Sequence, residues 1–200
     1  MVKKFQFLAK KSRFRTFLQE TFEVKILKRH TTLATNKILL EIGCGKGTGT
    51  RLIKKYFKPE KVYGVDVDAE VIEKAKKKTK SPNIIFSAGD AAKLPYKDKM
   101  FDAVFDFGVI YHITDWKQCL REIERVLKPE GQLIFEELSL DALNKSWAKT
   151  LRNFFDRPYK ITYRRKEFLA FLEKEGWQVA TKKILHPLMI EYFIVVAKRP

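Results

Sequence analysis

From residue 37 onward, short apolar runs alternate with stretches whose apolar residues recur every three or four positions. Lys37–Ile42, Val62–Val65, Asn83–Ser87, Phe101–Phe107 and Gln132–Glu137 have strand length and read as continuously apolar, the pattern of strands buried on both faces. Between them Thr48–Phe57, Ala69–Lys78 and Trp116–Leu127 carry the helical period, with Leu52, Ile53, Tyr56 and Phe57 forming the inner face of the first. This alternation predicts an α/β fold: a doubly wound parallel sheet with helices on both faces and right-handed crossovers. The rhythm breaks over residues 138–161, where Trp147, Phe154, Phe155 and Tyr159 lie among basic residues, which reads as an insertion. Tyr163–Glu175 then predicts a helix ended by Gly176 in a left-handed C′ position. Trp177–Lys183 and Tyr192–Ala197 read as strands with no helix between them, hence an antiparallel hairpin at the sheet edge.

Upstream, Phe14, Phe17, Leu18, Phe22 and Ile26 are spaced by three and four, predicting a basic amphipathic helix over about residues 12–28. The chain therefore divides into an N-terminal basic helical segment, 1–35, and a domain, 36–200, carrying the insertion at 138–161. With 45% hydrophobic and 13% aromatic residues in 200, the chain has ample material for a packed core, which excludes wholesale disorder. Two cysteines, Cys44 and Cys119, make neither a disulfide framework nor a cysteine-rich metal site, and no metal is expected. Glu191 interrupts the best candidate for a membrane span, and Gln6, Lys10 and Lys11 deny the N-terminus a signal-peptide core. The expectation is a cytoplasmic protein.

The formal net charge is +17, and its placement says more than its size. Residues 1–30 carry nine Lys/Arg against two Glu, residues 31–144 nineteen against seventeen, and residues 145–183 eleven against four. The middle is nearly neutral and both flanks are strongly basic. Such flanks suit either a solvated lysine-rich surface or an anionic partner: a lipid headgroup at the inner membrane surface, a nucleic acid or an acidic small molecule.

The first strand runs straight into Glu41-Ile42-Gly43-Cys44-Gly45-Lys46-Gly47-Thr48-Gly49-Thr50. Alternate glycines between a buried strand and a helix allow a tight turn and close approach of a ligand to the main chain. The helix N-terminus that follows offers N–H groups to a carboxylate or phosphate. Two better-known loops are excluded. Lys46 is followed by Gly47 rather than Ser or Thr, so there is no P-loop, and Gly43-x-Gly45 puts Thr48 where a dinucleotide fingerprint needs its third glycine. Asp66 ends the second strand, where a carboxylate accepts hydrogen bonds from ribose hydroxyls. Asp68 suits the cap of the next helix. Asp90, after the third strand, suits an adenine exocyclic amine. Acids at the ends of successive strands (Glu41, Asp66, Asp90) are the strongest signal in the chain.

These stretches, with Phe101-Asp102-Ala103-Val104 and Leu127-Lys128-Pro129-Glu130-Gly131-Gln132, resemble the class I S-adenosylmethionine-dependent methyltransferases over about residues 36–137. The resemblance implies a Rossmann-like seven-stranded sheet of order 3-2-1-4-5-7-6 with strand 7 antiparallel. It implies S-adenosylmethionine as cofactor and a binding set of Glu41, Gly43, Cys44, Gly45, Gly47, Asp66, Val67, Asp90, Ala91, Asp106 and Phe107. Within that set the loop Glu41–Gly47 holds the methionine part, Asp90 with Ala91 borders the adenine, and Asp106 is placed to meet the cofactor's ammonium group. One departure is Glu130, where the family more commonly has Gly.

Methyl transfer needs a general base only if the acceptor arrives protonated. His112, Tyr111 and Glu136 are the candidates at the strand ends, each with a purely structural role as the alternative. In this family the N-terminal segment and the insertion after strand 5 commonly cover the acceptor pocket. Here those are the basic, aromatic flanks, which points to a small-molecule, lipid or quinone-like acceptor of amphipathic or anionic character. RNA is the rival acceptor, but Asp106-Phe107-Gly108-Val109 lacks the Pro-Pro-aromatic stretch of base-amine methyltransferases. A nicotinamide-dependent oxidoreductase and a non-catalytic cofactor-binding module are the remaining alternatives.

Overall fold

The computed structural model describes residues 24–138, 163, 165–185 and 191–198. Its elements are α1 (Val24–His30), β1 (Ile38–Ile42), α2 (Thr48–Phe57), β2 (Lys61–Asp66), α3 (Ala69–Lys78), β3 (Ile84–Ala88), β4 (Phe101–Asp106), a 3-10 turn (Ile110–His112), α4 (Trp116–Val126), β5 (Leu127–Leu138), α5 (Arg165–Lys174), β6 (Gln178–Leu185) and β7 (Glu191–Lys198). The remainder of the expected N-terminal helix and of the 138–161 insertion lies outside the described residues.

The seven strands form one sheet in the order β3-β2-β1-β4-β5-β7-β6. β1 to β5 pair in parallel, and β7 runs antiparallel to both β5 and β6. This is the order expected from the family resemblance, and the C-terminal hairpin read from the sequence is β6–β7. Successive side chains of a strand point to opposite faces, so β1 splits its apolar residues between two cores. Leu40 and Ile42 join Val104, Leu133, Trp116, Ile123, Phe168 and Leu172 beneath α4 and α5. Leu39 joins Ala103, Phe105, Ile134, Leu52, Ile53 and Phe57 on the other face, together with Val24 and Leu27 of α1. α3 closes that face at the β3 edge through Ile72 and Ala75 on Phe86.

Local signals hold where expected. Asp68 Oδ1 accepts from the N–H groups of Glu70 and Val71 at 2.9 and 3.2 Å, capping α3. Gly176 takes φ +84° at the end of α5. β5 departs from expectation, beginning at Leu127 rather than Gln132. Lys99 N–H and Met100 N–H donate to Arg125 O and Val126 O at the end of α4, which brings the start of β4 beside Leu127. The ladder pairs Phe101 with Leu127 and then Ala103 with Gln132, and the residues between bulge out. Within that bulge Glu130 has φ +62°, the left-handed backbone that glycine adopts without penalty.

Asp102 ties three strands together at the end of the sheet opposite the glycine loop. It accepts from Ile38 N–H (2.9 Å), Lys37 Nζ (3.2 Å) and Lys128 Nζ (2.9 Å). Burial alone would raise its pKa, but these donors outweigh that and hold it below its ordinary value. No helix among the described residues is long and apolar enough to cross a membrane.

Candidate functional site

The strand order reverses between β1 and β4, and in open α/β sheets the crevice at that switch point takes ligands. At its floor the chain leaves β1 through three left-handed glycines, Gly43, Gly45 and Gly47, with φ of +61°, +52° and +74°. The surroundings of each differ. A Cβ on Gly43 would stand 2.2 Å from Val109, and one on Gly47 would stand 2.4 Å from the Phe86 ring. A Cβ on Gly45 would meet nothing within 4 Å, so this is where the loop's main chain faces open space. α2 starts directly after Gly47 with no side-chain cap on its first N–H groups.

Asp66 organises this loop as well as standing beside it. Its Oδ2 accepts from Gly45 N–H at 2.9 Å and its Oδ1 from Asp68 N–H at 3.0 Å. A carboxylate has about four acceptor positions, so two remain for a ligand's hydroxyls. Gly89 N–H donates to Asp66 O at 3.0 Å, which sets Gly89-Asp90 beside Asp66 along the same edge. Asp90 is exposed, and its Oδ1 accepts from Ala92 N–H at 2.8 Å in a local turn. Val67 is 79% exposed and follows Asp66 on this rim.

Glu41 behaves differently from the other acids. It is buried under α2, with Thr50 Oγ1 donating to its Oε2, and a Cβ on Gly49 would collide with its Oε1. Burial pushes its pKa up to about 8; the Thr50 bond opposes this, while Asp106 and Asp66 add to it. Glu41 is therefore a neutral carboxylic acid at pH 7. Asp106 is also buried; its Oδ1 accepts from Val109 N–H at 2.7 Å and its Oδ2 from Ile110 N–H at 3.4 Å, which shapes the 3-10 turn carrying His112. Phe107 stacks on Phe105 in the core, ring centroids 6.3 Å apart. Burial raises the Cys44 thiol well above its ordinary pKa, leaving it protonated.

Gly45, Asp66 and Asp90 thus share one edge, with Val67 on its rim. Glu41 and Asp106 support it from beneath. Ala91 is half-buried in the loop after Asp90, and His112 is half-buried in its turn. Tyr111 and Glu136 lie on the described backbone of that turn and of β5, but their side chains fall outside the described residues. Four supports had no signal in the sequence: Thr50 beneath Glu41, Phe86 beneath Gly47, Val109 against Gly43, and Arg51, whose Nη1 reaches Lys46 O at 3.1 Å and Thr79 Oγ1 at 3.0 Å. Phe86 and Val109 become visible only when segments distant in sequence are side by side, Thr50 and Arg51 only once α2 has packed behind the loop.

A mostly parallel sheet with this reversal, glycine bend and acid-lined edge sets a ligand crevice at the carboxyl ends of its strands. Residues 40–135 match the family described as methyltransferase domain. An uncharacterized methyltransferase of Schizosaccharomyces pombe is 35% identical over 129 residues, covering 60% of this chain and 44% of that protein. A fatty-acid O-methyltransferase of Mycolicibacterium smegmatis is 31% identical over 112 residues, covering 54% and 41%. The crystal structure of a SAM-dependent methyltransferase from Aquifex aeolicus shares the fold at a TM-score of 0.73 and 22% identity, covering 92% of this chain and 93% of that one. Together these matches support a class I S-adenosylmethionine-dependent methyltransferase family for this chain. The chain spans less than half the length of the curated relatives it matches.

The residues present fit that family's cofactor. The main chain is open at Gly45, Asp66 keeps acceptor capacity, Asp90 is exposed, and the N-terminus of α2 lacks a side-chain cap.

Proposed function

We propose that the protein transfers the methyl group of S-adenosylmethionine to a lipid-like acceptor with an acidic or phenolic head. The observation that carries the cofactor reading is the pairing of Asp66 with Gly45 N–H beside the Gly89-Asp90 turn. In this arrangement Asp66 accepts from the two ribose hydroxyls and Asp90 from the adenine amine, with Val67 against the base. The Gly43–Gly47 backbone and the first N–H groups of α2 hold the amino-acid end. Glu41 and Asp106, both turned inward, keep the loop and the 3-10 turn in register. The bound sulfonium supplies an already electrophilic methyl group, so the protein's task is to hold the acceptor in line and exclude water. Where the acceptor head arrives protonated, His112 is our candidate to take the proton, with Tyr111 and Glu136 as the other candidates.

Support for the acceptor comes from the two basic flanks with their aromatic residues and from the relative named as a fatty-acid O-methyltransferase. Amphipathic basic segments of this kind also suit peripheral contact with an anionic membrane surface.

Calorimetric titration with S-adenosylhomocysteine and with NADH tests the cofactor; binding of the first and not the second is expected, and the reverse overturns the reading. Turnover on long-chain fatty acids, quinone precursors and RNA tests the acceptor. Methylation of RNA alone, or a gel shift persisting well above physiological salt, would replace the lipid reading with an RNA one. Equal sedimentation with neutral and anionic vesicles would remove the membrane contact.

A further inference from the structure

The loop joining β3 to β4, residues 89–100, carries Asp90 at its start and is tied down from α4 by one guanidinium. Arg125 Nη1 donates to Tyr96 O at 2.8 Å and to Asp98 Oδ1 at 2.7 Å. Its Nη2 donates to Leu94 O at 3.0 Å and to Glu122 Oε2 at 2.7 Å, and its Nε to Glu122 Oε1 at 2.9 Å. Glu122 Oε2 in turn accepts from Leu94 N–H at 2.8 Å. Leu94, itself 4% exposed, is therefore held at both its N–H and its carbonyl by a single bidentate ion pair. Tyr96 adds a second anchor, its Oη 2.6 Å from Ser87 Oγ on β3. The Arg125 guanidinium holds the Glu122 carboxyl below its ordinary pKa, so the pair stays charged at neutral pH.

Between Gly89, whose N–H is held by Asp66 O at 3.0 Å, and Leu94, Arg125 and Glu122 make no hydrogen bond to the loop. Asp90 is held there by its own turn, through Ala92 N–H on Oδ1 and Lys93 N–H on its carbonyl at 3.0 Å. Gly89 N–H on Asp66 O holds the turn from the β3 side, and Leu94 follows Lys93 directly, so where Arg125 and Glu122 place Leu94 sets the other end of the turn that carries the Asp90 carboxylate. We propose that the Arg125–Glu122 pair is a positioning device that aims Asp90 at the 6-amino group of the cofactor's purine and thereby sets selectivity for adenine. This rests on the cofactor reading above and extends it to residues that touch no part of the cofactor. The planar fork matters, because one side chain must satisfy two carbonyls and two carboxylates at once, which an ammonium on a flexible stem does not do.

Selectivity, rather than affinity alone, separates this role from a structural one. Asp90 is an acceptor, so it favours a purine that presents a 6-amino donor over one that presents a 6-oxo acceptor. The experiment compares calorimetric affinities for S-adenosylhomocysteine and its 6-oxo analogue, S-inosylhomocysteine. Wild type is expected to prefer the adenosyl compound by about tenfold or more, the scale of one charge-assisted hydrogen bond. Arg125→Ala and Arg125→Lys are each expected to reduce that preference to about threefold or less, since directional bonds weaken steeply when misaimed. If Arg125→Ala does not fold, Arg125→Lys, which keeps the charge and loses the fork, decides alone. In Asp90→Ala the preference is already lost, and adding Arg125→Lys changes it no further. An undiminished preference in Arg125→Lys, or a further loss in the double variant, overturns the proposal and leaves the cofactor reading standing. Equal affinity of wild type for both compounds does the same. Failure of wild type to bind either compound overturns the cofactor reading itself, and the positioning role with it.

Discussion

Replacing Glu41 with Gln keeps the shape of a side chain sealed under α2 and removes its ability to ionise. Folded Glu41 holds its proton up to about pH 8, whereas the unfolded chain releases it near the ordinary value of 4.5. Between those values the native state binds one proton more than the unfolded state, so stability falls as pH rises, by about 1.4 kcal/mol per pH unit. The protonated carboxyl thus contributes fully below pH 4.5, and its contribution is gone once pH has risen through 8. Over the whole window this amounts to about 5 kcal/mol, of which a comparison of pH 5 with pH 9 captures about 4. The Gln carbonyl still accepts from Thr50, and all other titrating groups are common to the two proteins and cancel. Urea denaturation at pH 5, 7 and 9 should therefore give stability curves that diverge, with Glu41→Gln gaining on wild type at each step. Parallel curves would refute the assignment of a buried neutral carboxyl, and with it the view that Glu41 supports the loop uncharged.

Asp66→Ala should weaken S-adenosylhomocysteine binding at least about tenfold in a calorimetric titration, since it removes two ligand acceptors and frees Gly45 N–H. Gly49→Ala drives a methyl group into the Glu41 carboxyl without any backbone penalty; a loss of about 1–3 kcal/mol in urea denaturation is expected for such overpacking. Glu130→Gly should raise stability by about 0.5–1 kcal/mol, because relief of left-handed strain exceeds the added chain entropy, and thermal denaturation measures the gain. Asp102 has a lowered pKa in the fold, so its contribution is present above its ordinary value of 3.8 and lost as pH falls through the lower folded value. Asp102→Asn should cost about 1–2 kcal/mol at pH 7 and progressively less in acid, as read from denaturant midpoints.

The strand–helix alternation, the glycine bend after β1, the cap at Asp68 and the C-terminal hairpin were all legible in the chain, because each depends on residues within a few positions of one another. The acids after β2 and β3 were legible as a row, since a parallel sheet brings the ends of successive strands to one edge. What each acid does there was not. Glu41 and Asp66 have the same chemistry in sequence, yet one lies sealed beneath α2 and the other accepts from the N–H groups of Gly45 and Asp68, a difference set by how far along its strand each stands: Glu41 pairs with Gly64 inside the sheet, whereas Asp66 is the last residue of β2.

β5 was misread for a similar reason. Pro129 and Gly131 look like a terminator, but Leu127 already pairs with Phe101, a partner supplied from another strand. The same holds for Arg125, whose acceptors Tyr96 and Leu94 lie 29 and 31 residues upstream. The sequence by itself determined which segments become strands, where the chain bends and which chemistry reaches the sheet's edge, because backbone preference and apolar period act locally. Only the tertiary structure decided which carboxyl is neutral, which amide each acid holds and what ties down the loop after β3, because burial and long-range hydrogen bonds exist only once the crossovers have brought distant segments together.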